Sequence, residues 1–382
     1  MQIHVVSPGQ TLYAIGRQYG IAPGFIARYN GLREPYRLAV GQALLILRPE
    51  QAVTVQTGDT LFSVAQAAGV SPLEILRMNP NLGGQARLFP GQVLVTRLEQ
   101  SRTRPVEVNG YAYPYVNVPT LRGILPFASD LTPFTYGFTA QGTLVGMDDE
   151  PLIALARLYG VRPLMHLSTL TESGAFSAER AAQLFADPQA EQALIGNTVA
   201  QMLARGYGGV DVDFEFLGAA LADSYASFVG RLRAAVNAAG GELIAALAPK
   251  VSATQPGVLY EGHDYAAIAA NADAVLLMTY ECMLFARKNA VLWFAVWNDL
   301  VLKAVRVCCF LKSVRNSLCG TFLTDYVQIY VIQVRASHTG NDPLVVLNDI
   351  CQVVQLIGFF RKPEVDLDVI FLVKYDFLHQ IV

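Results

Sequence analysis

The stretch Gly209-Val-Asp-Val-Asp-Phe-Glu215 decides the reading of this chain of 382 residues. Asp211, Asp213 and Glu215 recur at every second position, with Val210, Val212, Phe214 and Phe216 between and after them. Successive side chains of a strand point to opposite faces, so residues 208–217 are expected to form a strand with three carboxylates on one face. The opposite face is wholly apolar. A solvated edge strand would tolerate such an acidic row. The neighbouring segments, however, are strongly apolar and read as buried strands. Three carboxylates buried in a row are costly unless they share protons and hydrogen bonds. A catalytic role accounts for that cost better than a structural one.

Outward from this strand, strands and helices alternate, which is the pattern of a parallel sheet. Strands are expected over 106–115, 133–144, 161–169, 208–217, 242–249 and 274–280. Helices are expected over 148–159, 177–205, 221–239 and 264–271. The fold class is therefore α/β, with a (β/α)8 TIM-barrel-like catalytic domain that is recognisable only to its sixth strand. In such a barrel Val210, Val212 and Phe214 pack under the outer helices. The carboxylates line up inside, toward the C-terminal mouth.

Composition narrows the function classes. A formal net charge of −3 gives no reason to expect nucleic acid or an acidic membrane surface as partner. No Gly-rich phosphate loop appears, and no Cys/His cluster has metal-ligand spacing, so neither metal nor cofactor is expected. No unbroken apolar run is long enough to span a bilayer. Residues 291–311 come nearest, but Asp299, Lys303 and Arg306 interrupt them. Met1-Gln-Ile-His-Val-Val-Ser-Pro8 has no basic start, apolar core or small-residue cleavage site, so no secretory signal peptide is expected.

Residues 4–47 and 53–96 repeat each other. Pro8-Gly9-Gln10-Thr11-Leu12 aligns with Thr57-Gly58-Asp59-Thr60-Leu61, Asn30 with Asn79, and Gly41-Gln42 with Gly91-Gln92. Each unit reads as βααβ. Glycine allows the first turn, Thr11 or Thr60 caps the first helix, and Pro23 or Pro72 opens the second. A polar linker, residues 99–105, follows. The repeat resembles the LysM module over both units. The resemblance implies a shallow groove for N-acetylglucosamine polymers, peptidoglycan or chitin, with Gly9, Thr11, Leu12 and Asn30 at the ligand in residues 1–49. In residues 50–98 the counterparts are Gly58, Asp59, Thr60, Leu61 and Asn79. Two linked weak sites gain avidity on a polymer.

The acidic strand, together with Met278-Thr279-Tyr280, resembles glycoside hydrolase family 18, whose fourth strand carries Asp-x-Asp-x-Glu and whose sixth carries Met-x-Tyr. Tyr136-Gly-Phe-Thr139, Ala246-Leu-Ala-Pro-Lys250 and Tyr260-Glu-Gly-His-Asp-Tyr265 point to its LysM-bearing subgroup from bacterial spores. The resemblance implies a glycosidase that cuts β-1,4 bonds at N-acetylglucosamine in spore-cortex peptidoglycan. It places the protein in the spore coat, cortex or cell wall. A chitinase-like enzyme and a LysM binder without catalysis are the alternatives. In the family's substrate-assisted, retaining scheme the substrate supplies the nucleophile. Glu215 would be the general acid. Asp213 would hold the acetamido N–H and stabilise the oxazolinium, and Asp211 would share a proton with Asp213. Tyr280 would hold the acetamido oxygen, with Met278 and Glu281 beside it at the substrate. Tyr111 and Tyr136, near strand ends, are candidates for sugar stacking and equally for barrel packing. His166, in an apolar strand, reads as a core or supporting histidine rather than a catalyst.

The resemblance covers residues 1–281, with the barrel over 106–281. Beyond Glu281 composition changes abruptly. All five cysteines, both tryptophans and every lysine except Lys250 fall there. Residues 282–382 read either as a divergent tail or, given the abruptness, as a frameshift or chimaeric join near codon 282.

Overall fold

A computed structural model describes residues 2–32, 34–99, 107–250, 252–278, 333–335 and 369–372, the last two segments as backbone only. The first repeat folds as β1 (Gln2–Val5), α1 (Leu12–Tyr19), α2 (Pro23–Tyr29) and β2 (Ala43–Ile46). The second folds as β3 (Pro49–Thr54), α3 (Leu61–Ala68), α4 (Pro72–Met78) and β4 (Val93–Leu98). In each, the two strands pair antiparallel. The threonines cap as their positions imply. Thr11 Oγ1 accepts the Ala14 N–H at 3.1 Å, and Thr60 Oγ1 accepts the Ser63 N–H at 3.0 Å. Leu12, Ile15 and Ile26 close one small core, and Leu61, Val64 and Ile75 the other.

The larger unit begins with β5 (Glu107–Ala112), α5 (Val118–Ile124), β6 (Asp130–Pro133) and a short hairpin of β7 (Gly137–Phe138) and β8 (Leu144–Val145). It continues through α6 (Glu150–Leu158), β9 (Arg162–Pro163), β10 (Met165–Ser168), α7 (Ala178–Ala186), α8 (Pro188–Arg205) and β11 (Gly209–Asp213). Then come α9 (Ala222–Ala238), β12 (Glu242–Leu247), α10 (Val258–Glu261), α11 (Tyr265–Asn271) and β13 (Ala274–Leu277). Strands β10, β11, β12 and β13 pair parallel in that order, and β6 pairs parallel with β9. Strand β5 lies beside β6, where Ser129 N–H donates to the Val108 carbonyl at 2.7 Å and Phe134 N–H to that of Ala112 at 3.0 Å.

Among the described residues the sheet does not close into a (β/α)8 barrel. Two further strands, β14 (Gln333–Arg335) and β15 (Val369–Leu372), run antiparallel to β5. A closed barrel of this kind needs parallel neighbours there. The rest of the stretch read as a tail lies outside the described residues.

Several expected elements are corrected in detail. The helix expected over 177–205 is two, because Pro188 cannot continue α7 while the Asp187 carboxylate caps α8 through the Gln189 and Ala190 N–H groups at 2.9 and 3.3 Å. The strand expected over 133–144 lies earlier, as β6, and gives way to the β7–β8 hairpin turning at Gly142 (φ 77°). Helix α5 was not anticipated, although Asn117 caps it by accepting the Thr120 N–H at 3.1 Å. Strand β11 stops at Asp213, four residues early, and Phe216 beyond it adopts a left-handed conformation (φ 58°).

The sheet separates two apolar layers. Val210 and Val212 on β11 and Leu243 and Ala245 on β12 pack outward with Leu194, Phe228, Leu232 and Val236 of the covering helices. Ile244, Ala246, Leu276 and Met278 face the other way, with Tyr111 and Leu164. The repeats are joined to this unit by hydrogen bonds. Tyr159 Oη donates to the Gly84 carbonyl at 2.7 Å and Arg77 Nε to that of Pro126, while Tyr29 Oη links the first repeat to the second by donating to the Met78 carbonyl at 3.0 Å.

Candidate active site

Strand alternation in β11 puts Val210 and Val212 under the helices and Asp211 and Asp213 on the inner face. Phe214 continues the outward row. Its ring stacks at 5.3 Å on Phe138, 5.6 Å on Tyr225 and 5.3 Å on Phe228. That aromatic stack fixes the rotation of the strand, and with it the direction of the carboxylates. Asp211 is fully buried, Asp213 is 9% exposed, and Glu215, past the strand's C-terminal end, is half-buried. The row thus runs from the interior outward to the C-terminal edge of the sheet.

Two buried groups reach these carboxylates from neighbouring strands. Tyr111, at the end of β5, donates its hydroxyl to Asp211 Oδ2. His166, paired in register with Asp211 across β10 and β11, brings Nε2 to 3.5 Å from Asp213 Oδ2, and its Nδ1 lies 2.6 Å from Thr135 Oγ1. Burial pushes the His166 pKa down to about 4, and the nearby Asp211 only partly opposes this. The ring is neutral at neutral pH, so its contact with Asp213 is not an ion pair.

A third buried residue acts on Glu215 through the backbone. His263 Nδ1 accepts the Ala248 N–H at 3.0 Å, which leaves the proton on Nε2, and Nε2 donates to the Phe214 carbonyl at 2.9 Å. The residue preceding Glu215 is thereby tied to the end of β12. Burial lowers the His263 pKa to about 4, so this tie holds at neutral pH. His263 stands within the Tyr260–Tyr265 motif, which by itself gives it no part in the site. Its partners are both backbone groups, which spacing alone does not reveal.

The other expected site residues divide. Tyr111 is brought to the site, but as a buried donor to Asp211 and not as an exposed stacking ring. Met278 is buried on the inner face, its N–H donating to the Leu247 carbonyl at 3.0 Å. Tyr280 and Glu281 lie outside the described residues. Tyr136 is not at the mouth. Its ring is 1% exposed within the outer layer, and its hydroxyl donates to Asp149 and meets Gln201 Nε2 at 2.9 Å. Burial and the Asp149 bond push its pKa up to about 12. Of its two readings, packing is the one the structure supports.

An aromatic group at the C-terminal face was missed. Tyr113 and Tyr115 stack at 5.1 Å, and Phe134 links Tyr113 (5.3 Å) to His166 (4.7 Å) and Phe176 (6.2 Å). Tyr115 and Phe176 are exposed. The Tyr-Pro-Tyr sequence at 113–115 was the available signal.

In the repeats, the structure keeps the turn residues at the surface and withdraws others. Gly9, Thr11, Gly58 and Thr60 are exposed, and Asp59 is half-exposed, its Oδ2 accepting the Gln56 N–H at 2.7 Å. Leu12 and Leu61 are buried core residues, so their side chains are not available to a glycan. Asn30 and Asn79 are corrected as well. Asn79 donates to the Ile75 and Val95 carbonyls, both at 2.8 Å, and accepts the Val95 N–H at 2.9 Å. Asn30 does the same with Ile26 and Leu45. Both amides are used up in tying the second helix to the closing strand.

Among the described residues no group of His, Cys, Asp and Glu is arranged to hold a metal ion, and no helix is long and apolar enough to cross a membrane. Fold and site together define an α/β protein with an acidic row leaving the central strand of a parallel sheet, preceded by two βααβ modules. The LysM domain model matches residues 4–46 and 53–97, and the glycosyl hydrolases family 18 model matches residues 130–300, running past Glu281. The chain carries a glycosyl hydrolases family 18 domain and two LysM domains. It is 33% identical over 283 residues to the YdhD protein of Bacillus subtilis and 32% identical over 287 residues to the cortical fragment-lytic enzyme of the same organism. Each match covers 74% of this chain and 66% of the relative. The crystal structure of the spore cortex-lytic enzyme SleL from Bacillus megaterium is similar, with a TM-score of 0.56 and 30% identity over 73% of this chain and 66% of that one. The chain therefore spans slightly less than two thirds of the length of these relatives.

Proposed function

We propose that this protein is a glycosidase that cleaves β-1,4 bonds at N-acetylglucosamine in spore-cortex peptidoglycan by a substrate-assisted, retaining mechanism. The observation that carries this reading is the row Asp211, Asp213 and Glu215, graded from buried to half-exposed, with Tyr111 bonded to its inner end. The family 18 domain and the names of the cortex-lytic relatives support the substrate class.

In this reading Glu215 protonates the leaving glycosidic oxygen. The substrate's acetamido oxygen attacks the anomeric carbon, so no second protein carboxylate is needed as nucleophile. Asp213 bonds the acetamido N–H and, once ionised, offsets the positive charge of the oxazolinium. Asp211 takes the proton Asp213 gives up, and the Tyr111 hydroxyl supports the charge on Asp211 before that transfer. Water then opens the oxazolinium while Glu215 returns as base, and the anomeric configuration is retained. Tyr280 is assigned the acetamido oxygen, and Met278 and Glu281 the sugar beside it. The two LysM domains hold the polymer through Gly9, Thr11, Gly58, Asp59 and Thr60, which suits a spore or cell-wall location.

The test is release of reducing ends from purified cortex fragments. Wild-type protein releases them, and Glu215→Gln lowers kcat by about 10²–10⁴-fold, the range for loss of a general acid. Both proteins bind insoluble peptidoglycan equally. A wild-type chain that binds but releases nothing would leave a glycan binder without catalysis.

A further inference from the structure

We propose that His263 is a positioning residue for Glu215: its imidazole is wedged into the ladder between β11 and β12, and so sets where the chain turns out of the sheet to present the general acid. This rests on the glycosidase reading and adds a residue to it. The register locates the wedge. Strands β11 and β12 pair parallel from Gly209↔Glu242 to Val212↔Ala245, and at the start of the ladder the Glu242 N–H donates to the Gly208 carbonyl at 3.3 Å. In a parallel ladder the bonds to one neighbour are evenly spaced, using every second residue. Six residues further along both strands, the same step would join the Ala248 N–H directly to the Phe214 carbonyl. The imidazole stands between them instead. The Ala248 N–H donates to His263 Nδ1 at 3.0 Å, and His263 Nε2 donates to the Phe214 carbonyl at 2.9 Å.

These two bonds fix the tautomer, because a backbone N–H only donates and a carbonyl only accepts. A ring in place of one hydrogen bond holds the strand ends further apart than the ladder would. Strand β11 accordingly ends at Asp213, and Phe216 adopts its left-handed conformation (φ 58°), which a bulky residue takes only where its surroundings impose it. Those surroundings come from the segment that carries the histidine. The Gly218 N–H donates to the Val258 carbonyl at 3.2 Å, and a Cβ on Gly262 would meet the Leu217 Cβ at 2.6 Å. On the other strand, Tyr265 Oη donates to the Ala248 carbonyl and accepts the Lys250 N–H at 2.8 Å. The Phe214 ring is held in the outer aromatic stack and its carbonyl by His263, so the peptide leading into Glu215 is fixed from both sides of the strand. His263 is fully buried, with the Tyr225 ring of α9 at 5.9 Å and Lys250 as a nearby charge that disfavours a second ring proton. Nδ1 therefore stays free to accept across the working range. A general acid must lie within hydrogen-bond reach of the leaving oxygen, and a misplacement of about 1 Å costs on the order of a hundredfold in rate.

Two measurements test this. The first compares His263→Gln, whose amide can serve the same two backbone groups, with His263→Leu, which fills space and bonds neither. Each is assayed on cortex fragments, whose leaving hydroxyl needs a proton, and on a dinitrophenyl β-glycoside of an N-acetylglucosamine oligomer, whose phenolate leaves without one. His263→Leu is expected to lower kcat on cortex fragments by about tenfold to a hundredfold with KM within about twofold, and on the aryl glycoside by less than about threefold. His263→Gln recovers most of the cortex rate. Equal loss on both substrates, or equal loss in both variants, means that His263 only supports the fold, and the proposal fails. The second measurement needs no leucine variant. It is ¹⁵N-histidine NMR on the full chain from pH 5.5 to 8, with the His263 signals assigned by their loss in His263→Gln. The expected result is an Nε2–H tautomer that does not titrate over that range. An Nδ1–H tautomer, or titration near 6.5, overturns the proposal whether or not the chain is active. If wild-type protein cleaves neither substrate yet His263 is Nε2–H, the glycosidase reading fails and the wedge stands.

Discussion

Tyr111 is the residue at which sequence and structure diverge most usefully. A tyrosine near a strand end in a sugar-cleaving fold invites a stacking role, which needs an exposed ring. Its ring is instead 6% exposed, and its hydroxyl is given to Asp211. A donor to a carboxylate stabilises the charged form, so losing it raises the proton affinity of the Asp211–Asp213 pair as a unit. Tyr111→Phe is therefore expected to lower kcat about tenfold, leave KM nearly unchanged, and move the acid limb of the pH–rate profile to higher pH. A stacking role predicts the opposite split, with KM rising and kcat preserved, so steady-state kinetics on cortex fragments separates the two. The same lesson applies to His166 and Asp211. Which residues share a face was legible from alternation within one strand. Which residues meet across strands depends on register, and His166 opposite Asp211 is a register fact that no local pattern encodes.

At the level of elements, legibility followed the strength of the local signal. Helices α3 and α4 were readable because Thr60 and Pro72 mark their starts, and the structure gives both a capping box, that of α4 through Ser71. Helix α8 was readable in its body but not at its start, since the Asp187-Pro188 break lies inside a continuous helix-favouring stretch. Strand β11 was read too long. The apolar–acidic alternation persists through Phe216, but the backbone leaves the sheet after Asp213, and His263 holds it there from outside the segment. Asn30 and Asn79 show the converse error. Recurrence at matched positions suggests ligand contact, while here it serves the fold. Removing the Asn79 amide leaves the Val95 N–H and the Ile75 and Val95 carbonyls without this partner in a buried site. At about 1 kcal/mol per net hydrogen bond, Asn79→Ala is expected to destabilise the second module by about 3 kcal/mol. Thermal melting should fall markedly, while peptidoglycan pull-down at low temperature persists. Loss of pull-down with unchanged melting would return Asn79 to the glycan groove.

The whole molecule joins its parts more closely than a polar linker at 99–105 implies. Gly84 of the second module sits where a Cβ would meet the Arg122 carbonyl oxygen at 1.8 Å, and Tyr159 and Arg77 bond across the same junction. This packing was not legible, because it depends on side chains distant in sequence finding backbone acceptors. Fold class was legible because the alternation of strands and helices is distributed over the entire larger unit. One property belongs to the molecule as a whole. His166 and His263 are both buried and neutral, each with its pKa lowered by burial from 6.5 to about 4. In the unfolded chain both would titrate near 6.5. Between pH 6.5 and 4 the unfolded state therefore binds protons that the folded state refuses, and stability falls as pH falls through that window. The two groups together contribute on the order of 7 kcal/mol of this loss if each shift is fully expressed. Most carboxylates titrate at the lower end of the window, so the interval from pH 6.5 to 5 isolates the histidines. The urea midpoint of the larger unit, followed by aromatic circular dichroism, is expected to drop steadily across that interval. In His263→Gln the drop should be roughly halved, since one of the two titrating groups is gone. A midpoint flat from pH 7 to 5 in the wild-type protein would mean that neither histidine is held neutral by the fold, and the His263 tie to the backbone before Glu215 would lose its basis.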